Sequence, residues 1–294
     1  MNGTVKATGS MGRERRQAYM LVTPAVAVLV GVALYPILAA IWLSLHRLIL
    51  VFGERRWLGL ENYGFMLGDA RFWNALGNTA YFTAVAVTVE LLLAVPLALL
   101  LHTAFPGRGV LRASVLVPWA IPTVVSARLW AWLFNPDYGL INRLLPGPDI
   151  NWLGVPGYAL HAAILVDVWK TTPFMALLVL AGLQGISEDL YKAARVDGAS
   201  RWRSFVSITL PLLKPALLLA LLFRTLDAFR VFDAIFVLTE GGPANTTETL
   251  SIYAYKMLMR AGNFGYGSTL AVMTFLCVVG LSLVYIRLLG KEAR

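Results

Sequence analysis

Six apolar runs, each about twenty residues or longer, alternate with polar stretches along the chain, and each could cross a bilayer as an α-helix. They cover 18–45, 79–101, 113–134, 158–183, 215–238 and 267–289. The pattern predicts an all-α polytopic membrane protein with six transmembrane helices. A polar tail over 1–17, unstructured in its first dozen residues, precedes a membrane domain over 18–294. The first run is about twice as long as a signal-peptide core, and no small-x-small cleavage site closes it. It is therefore read as a retained helix. Its Tyr35-Pro36 pair is tolerable because neighbouring helices can satisfy the freed backbone groups.

Composition narrows the class. Of 294 residues, 58% are hydrophobic and 14% charged, where a soluble domain carries about a quarter charged. Disordered, fibrous and disulfide-scaffold folds are excluded, the last by a single cysteine, Cys277, read as a packing residue. The net charge of +9 is confined to one face. The tail, the second-to-third and fourth-to-fifth connections and the C-terminal end hold 14 Lys and Arg, against 7 on the other side. The positive-inside rule then makes both termini cytoplasmic, and no nucleic acid is needed to explain the basic excess.

On the outer side the loops are 46–78, 135–157 and 239–266. The last opens on the turn signal Glu240-Gly241-Gly242-Pro243-Ala244-Asn245 and continues into a helix-compatible stretch over 248–260. The inner side has one loop of consequence, 184–214. Ser187 followed by Glu188 and Asp189 predicts a helix start. Tyr191, Ala194 and Gly198 then fall on one face, whose small residues permit close approach by another surface. Taken alone, this is either a hairpin tying two spans together or a docking element.

A resemblance favours docking. Lys192-Ala193-Ala194-Arg195-Val196-Asp197-Gly198, nine further residues, then Ile208-Thr209-Leu210-Pro211 resembles the EAA loop of bacterial binding-protein-dependent ABC importer permeases, the MetI-like family. The first position departs, with Lys192 where the family has Glu, and Asp197 is the candidate to supply the anionic contact. Phe223–Asp233 with Leu238-Thr239-Glu240-Gly241-Gly242-Pro243, and Gly59-Leu60-Glu61-Asn62-Tyr63 near the start, are similar to the MalF-like first permeases of sugar importers. Trp169-Lys170-Thr171-Thr172-Pro173-Phe174 is closest to the trehalose and maltose type.

The resemblance implies a type I ABC importer permease fold in the bacterial inner membrane. It implies a MalG-like second permease, two nucleotide-binding ATPase subunits and an extracytoplasmic sugar-binding protein as partners, in contact with membrane lipid. Tyr191, Lys192, Ala193, Ala194, Asp197 and Gly198 become the residues that meet the ATPase. The chain lacks a phosphate-cradling G-x-x-x-x-G-K-[ST] loop, so ATP and Mg are expected on the partner ATPase and this subunit is expected to be non-catalytic, with no cofactor of its own.

Charges inside apolar runs are costly and functional by default. Arg224, Asp227, Arg230 and Asp233 recur every three residues in the fifth run. On one helix each step lags by about 60°, so the set would wind around it. Asp167 and Lys170 sit at i, i+3 in the fourth and could neutralise each other, with Pro173 marking an interruption of the kind transporter sites favour. Glu90 and Arg128 are candidates for an interhelical pair. These charges are either a neutral ladder between helices or substrate groups. In the family the fourth and fifth helices line the sugar pathway, which makes Asp167, Thr171, Phe174, Asp227, Arg230 and Asp233 the pathway candidates. A competing reading, an ion-coupled secondary transporter, would use the same carboxylates as coupling sites. His46, His102 and His161 lie in different segments without metal-ligand spacing.

Overall fold

The computed structural model describes residues 8–145 and 147–292. Helix α1 (Thr8–Ser44) leads into a short antiparallel hairpin, β1 (His46–Ile49) and β2 (Glu54–Trp57), then α2 (Glu61–Gly68) and α3 (Ala70–His102). Next come α4 (Arg108–Ala120), α5 (Thr123–Leu133), α6 (Leu140–Leu144) and α7 (Pro156–Gln184). A two-helix turn, α8 (Glu188–Val196) and α9 (Arg201–Ser204), leads through a π-helical stretch, Phe205–Thr209, into α10 (Leu210–Phe229). After α11 (Asp233–Leu238) and α12 (Leu250–Tyr255), α13 (Phe264–Glu292) completes the described chain.

Among the described residues five helices are long and apolar enough to span, and α4 with α5 makes a sixth only as a pair bent by 89°. The unbroken third span expected over 113–134 is therefore corrected. Pro122 disfavours helical backbone at Ile121, which is extended (φ −72°, ψ 133°), and α4 stops there. The fifth span is corrected as well: the helix ends at Phe229, and Arg230–Phe232 separate it from α11. Conversely, α7 runs unbroken through Pro173, so the interruption expected there lies in these two neighbours instead. The tail also departs from expectation, since α1 begins at Thr8; residues 1–7 of the predicted tail lie outside the described residues.

The core lies where α3, α7 and α10 meet. Ala86, Ala94, Ala163, Ala176 and Ala220 are all completely buried there beside Phe82 and Met175. Small residues let the helix backbones approach closely, the chief source of attraction where lipid removes the hydrophobic driving force. Gly182 of α7 is one such position: a Cβ there would overlap that of Ala216 on α10. By contrast, α1 runs outside this core with its apolar length exposed, touching mainly α13.

At one end of the bundle a polar network fastens the segment 239–263 onto the start of α3. Arg71 grips Glu248 with Nε and Nη2 (2.7 and 2.9 Å), and Lys256 reaches the same carboxylate at 2.7 Å. Tyr253 and Tyr266 both donate to Asp69, while Asn74 and Asn78 donate to the Asn245 carbonyl. The network holds a turn in which Glu240, Ala244 and Asn245 take left-handed backbone (φ 51°, 47° and 61°), at about 1–2 kcal/mol each. Burial pushes the Glu248 carboxyl up, but the hydrogen bonds and charges of Arg71 and Lys256 outweigh it, and the net shift is downward. A depressed carboxyl stabilises the fold above its ordinary range, and that contribution disappears as pH falls through the depressed value. Glu248→Ala is expected to cost about 3–5 kcal/mol by stranding Arg71 and Lys256. Hydrogen exchange should find the 239–260 amides deprotected while α7 stays protected.

Candidate functional site: a charged pocket between two broken helices

The two breaks face each other. α11 packs against α5, and a pocket of about 310 Å³ opens between them, lined by Trp119, Asp167, Lys170, Asp227, Arg230 and Asp233 among others. Lys170, expected to pair with Asp167, instead sends Nζ to the carbonyls of Trp119 (3.2 Å) and Ile121. An ammonium at the carbonyl end of a helix meets both its unpaired acceptors and the negative end of its dipole. Lys170 thus secures the C-terminus of α4 at the bend.

Arg224 is the electrostatic centre. It is 1% exposed, and its fork makes four hydrogen bonds to three carboxylates on three helices. Nε and Nη2 hold Glu90 of α3, Nη2 also reaches Asp167 Oδ2 of α7 at 2.9 Å, and Nη1 reaches Asp227 Oδ2 at 2.6 Å. The expected Glu90–Arg128 pair is corrected accordingly: Glu90 is fully buried against Arg224, and Arg128 is exposed. The ladder expected to wind around a single helix is corrected too, because Arg230 caps α10 and Asp233 opens α11. Around Arg224 exposure rises stepwise, with side chains at 0% for Glu90, 13% for Asp167 and 64% for Asp227.

Five of the six pathway candidates line the pocket: Asp167, Thr171, Asp227, Arg230 and Asp233. Phe174 stands behind it, its ring stacked on Trp119 at 5.6 Å. The Thr171 hydroxyl lies 2.7 Å from Glu90 Oε1 and 2.6 Å from the Asp167 carbonyl, so its proton is committed within the protein. Trp119 and Lys170 also line the pocket; the sequence offered Lys170 only as a partner for Asp167, and the pre-proline position at Ile121 was the available signal that it serves the bend instead.

The second candidate site is the α8–α9 turn at the opposite end. The Ser187 hydroxyl accepts from the Asp189 amide as the cap that the sequence predicts. The helix closes with Gly198 N–H on Arg195 O and Ala199 N–H on Ala194 O, a Schellman turn with Gly198 in left-handed backbone (φ 72°). Space around a Cβ at Gly198 is open. The Tyr191 hydroxyl meets Thr209 Oγ1 at 2.9 Å inside the hairpin, while Lys192 pairs with Asp189 at 2.8 Å. Ala193, Val196 and Asp197 are exposed, and Val196 is 88% so, an unusual place for a bare apolar side chain.

A helical membrane domain with broken spans around a charged pocket, and a capped amphipathic turn at one end, defines a transport subunit. Residues 90–290 match the family model described as the binding-protein-dependent transport system inner membrane component. The trehalose/maltose transport system permease protein MalF of Thermococcus litoralis is 45% identical over 278 residues, covering 94% of both chains. The trehalose transport system permease protein SugA of Mycobacterium tuberculosis is 46% identical over 287 residues, 97% of this chain and 92% of that protein. The fold is shared with a bacterial ABC transporter structure described as importing alginate, at a TM-score of 0.82 and 21% identity, covering 96% of this chain and 98% of that one. The chain belongs to the family of binding-protein-dependent ABC importer permeases. It is the non-catalytic membrane component, and ATP hydrolysis belongs to a separate subunit. With energy drawn from a separate ATPase, the ion-coupled alternative is left without support.

Proposed function

We propose that this chain forms half of the translocation pathway of a disaccharide importer of the trehalose or maltose type, with the pocket between α5, α7, α10 and α11 as its sugar-facing surface. The observation that carries the reading is the convergence of Asp167, Asp227, Arg230 and Asp233 with Trp119 on one open pocket. Carboxylates accept from sugar hydroxyls, the guanidinium donates to them, and the indole offers a flat face to a pyranose ring. Two relatives that are similar over nearly the whole chain, permeases of trehalose/maltose and of trehalose transport systems, supply the substrate class.

Energy enters at α8. Lys192, Ala193, Ala194, Asp197 and Gly198 meet a groove of the ATPase, and Tyr191 holds α8 to the hairpin through Thr209. Because Lys192 is paired with Asp189, Asp197 provides the free carboxylate for the contact. A second permease completes the pathway, two ATPase subunits hold ATP and Mg, and an extracytoplasmic binding protein delivers the sugar. Both termini and the α8–α9 turn lie in the cytoplasm, in keeping with the basic excess on that face. Residues 1–17 form the cytoplasmic tail and 18–294 the permease domain.

Asp233→Ala tests the pathway in proteoliposomes carrying the full importer and ATP. Uptake of labelled trehalose should fall about tenfold to a hundredfold, the worth of one hydrogen bond to a charged group. Stimulation of ATP hydrolysis by the loaded binding protein should persist. Undiminished uptake of both trehalose and maltose would take Asp233 out of the pathway and leave it a structural charge.

A further inference from the structure

The pocket carboxylates do not stand alone. Asp167 and Asp227 each give one oxygen, Oδ2, to the same guanidinium, and that guanidinium is itself gripped through two atoms by Glu90. Glu90 and Arg224 are buried and do not line the pocket, whereas Asp167 and Asp227 do. Three acids this close would repel and turn apart without a shared cation. A lysine could supply the charge but not the planar fork that fixes three partners at once. The second oxygen of Asp227 is only loosely engaged, 3.9 Å from Arg230, and among the described residues no hydrogen bond involves the second oxygen of Asp167.

We infer that Arg224, locked by Glu90, is a positioning residue for the transported sugar: it fixes Oδ2 of Asp167 and of Asp227 so that the other oxygen of each is held toward sugar hydroxyls. The inference rests on the pathway proposed above. The division of labour follows the exposure gradient. Glu90 orients Arg224, Arg224 orients the two aspartates, and of these four only the aspartates touch the substrate. Because the partners come from α3, α7 and α10, the aim of the pair depends on how these helices are set relative to one another. A rocking motion that parts them would change the aim of the two carboxylates and with it the sugar-binding geometry.

The test uses the complete importer in proteoliposomes with labelled trehalose and reads sugar moved per ATP hydrolysed in the presence of loaded binding protein. This ratio is insensitive to how much complex assembles, so a purely structural staple would not move it. Arg224→Lys, which keeps the charge and loses the fork, should lower the ratio by about tenfold, the scale of one mis-aimed charge-assisted hydrogen bond. Glu90→Gln should lower it in the same direction, and it carries the test if the lysine variant fails to assemble. Asp233→Ala serves as the comparison, being a pocket residue with no bond to Arg224. Wild-type ratios in Arg224→Lys and Glu90→Gln, with uptake lost in Asp233→Ala, would overturn the positioning role and leave the pathway standing. Full uptake in all three would overturn the pathway itself.

Discussion

Gly198→Leu is expected to reduce ATP-driven uptake by about a hundredfold, the range of an interfacial hot spot, while the chain still inserts and folds. Two costs combine. Gly198 holds left-handed backbone at the close of α8, which a leucine would occupy at roughly 1–2 kcal/mol. Its side chain would also project into space that is empty around the isolated chain, and that space is where the ATPase surface is proposed to lie. The two contributions separate with Gly198→Asn, since asparagine tolerates left-handed backbone better than other residues with a side chain. If only the Schellman turn matters, the asparagine variant should recover most of the uptake. If a partner surface must approach closely, it should remain impaired, and co-purification of the ATPase should be weakened in both variants. Wild-type coupling in Gly198→Leu would argue against α8 as the coupling element.

This turn was also the part of the molecule most legible in the sequence. Its determinants are local: a serine cap, two acids in the first turn and a glycine at the close. The spans were legible for a similar reason, because about twenty apolar residues in a row leave little choice of structure. The breaks were less so. Hydropathy runs straight across Ala120–Pro122, and only the pre-proline position hints at the bend. What secures it is Lys170, a residue of another helix some fifty positions away in sequence. The third span therefore reads as one helix until its tertiary partner is known.

Charge pairing was the least legible feature. The sequence offers Glu90, Arg128, Asp167, Lys170 and the Arg224–Asp233 set as separate intramembrane charges, and local spacing favours i, i+3 partners. That rule does find Arg224 with Asp227. It fails for Asp167 with Lys170, because a bent helix end offered the ammonium two carbonyls. It cannot find Glu90 with Arg224, which lie 134 residues apart and meet only because alanines let α3 and α10 approach. The pathway candidates nonetheless converge, since Asp167 and the residues near the α10 break flank the same seam.

Arg224→Met is expected to destabilise the permease by about 3–5 kcal/mol, the cost of breaking a buried ion pair from one side. Glu90 is fully buried and would keep its charge with no cation in reach, or take up a proton to lose it. The measurements are the amount of chain recovered from the membrane and its melting temperature in detergent, and both should fall. Adding Glu90→Met should restore at least half of the loss. Replacing both members of a buried pair by apolar groups of similar volume is often close to neutral, and Asp227 is open enough to be solvated without Arg224. Asp167 is the residual burden, at 13% exposure, and sets how complete the recovery can be. Stability and transport should then part company: the double variant folds but has lost the fork that aims Asp167 and Asp227, so its sugar transport per ATP should stay low. If recovery of the fold brought recovery of transport with it, Arg224 would be a staple between helices and the sugar would take its contacts elsewhere in the pocket.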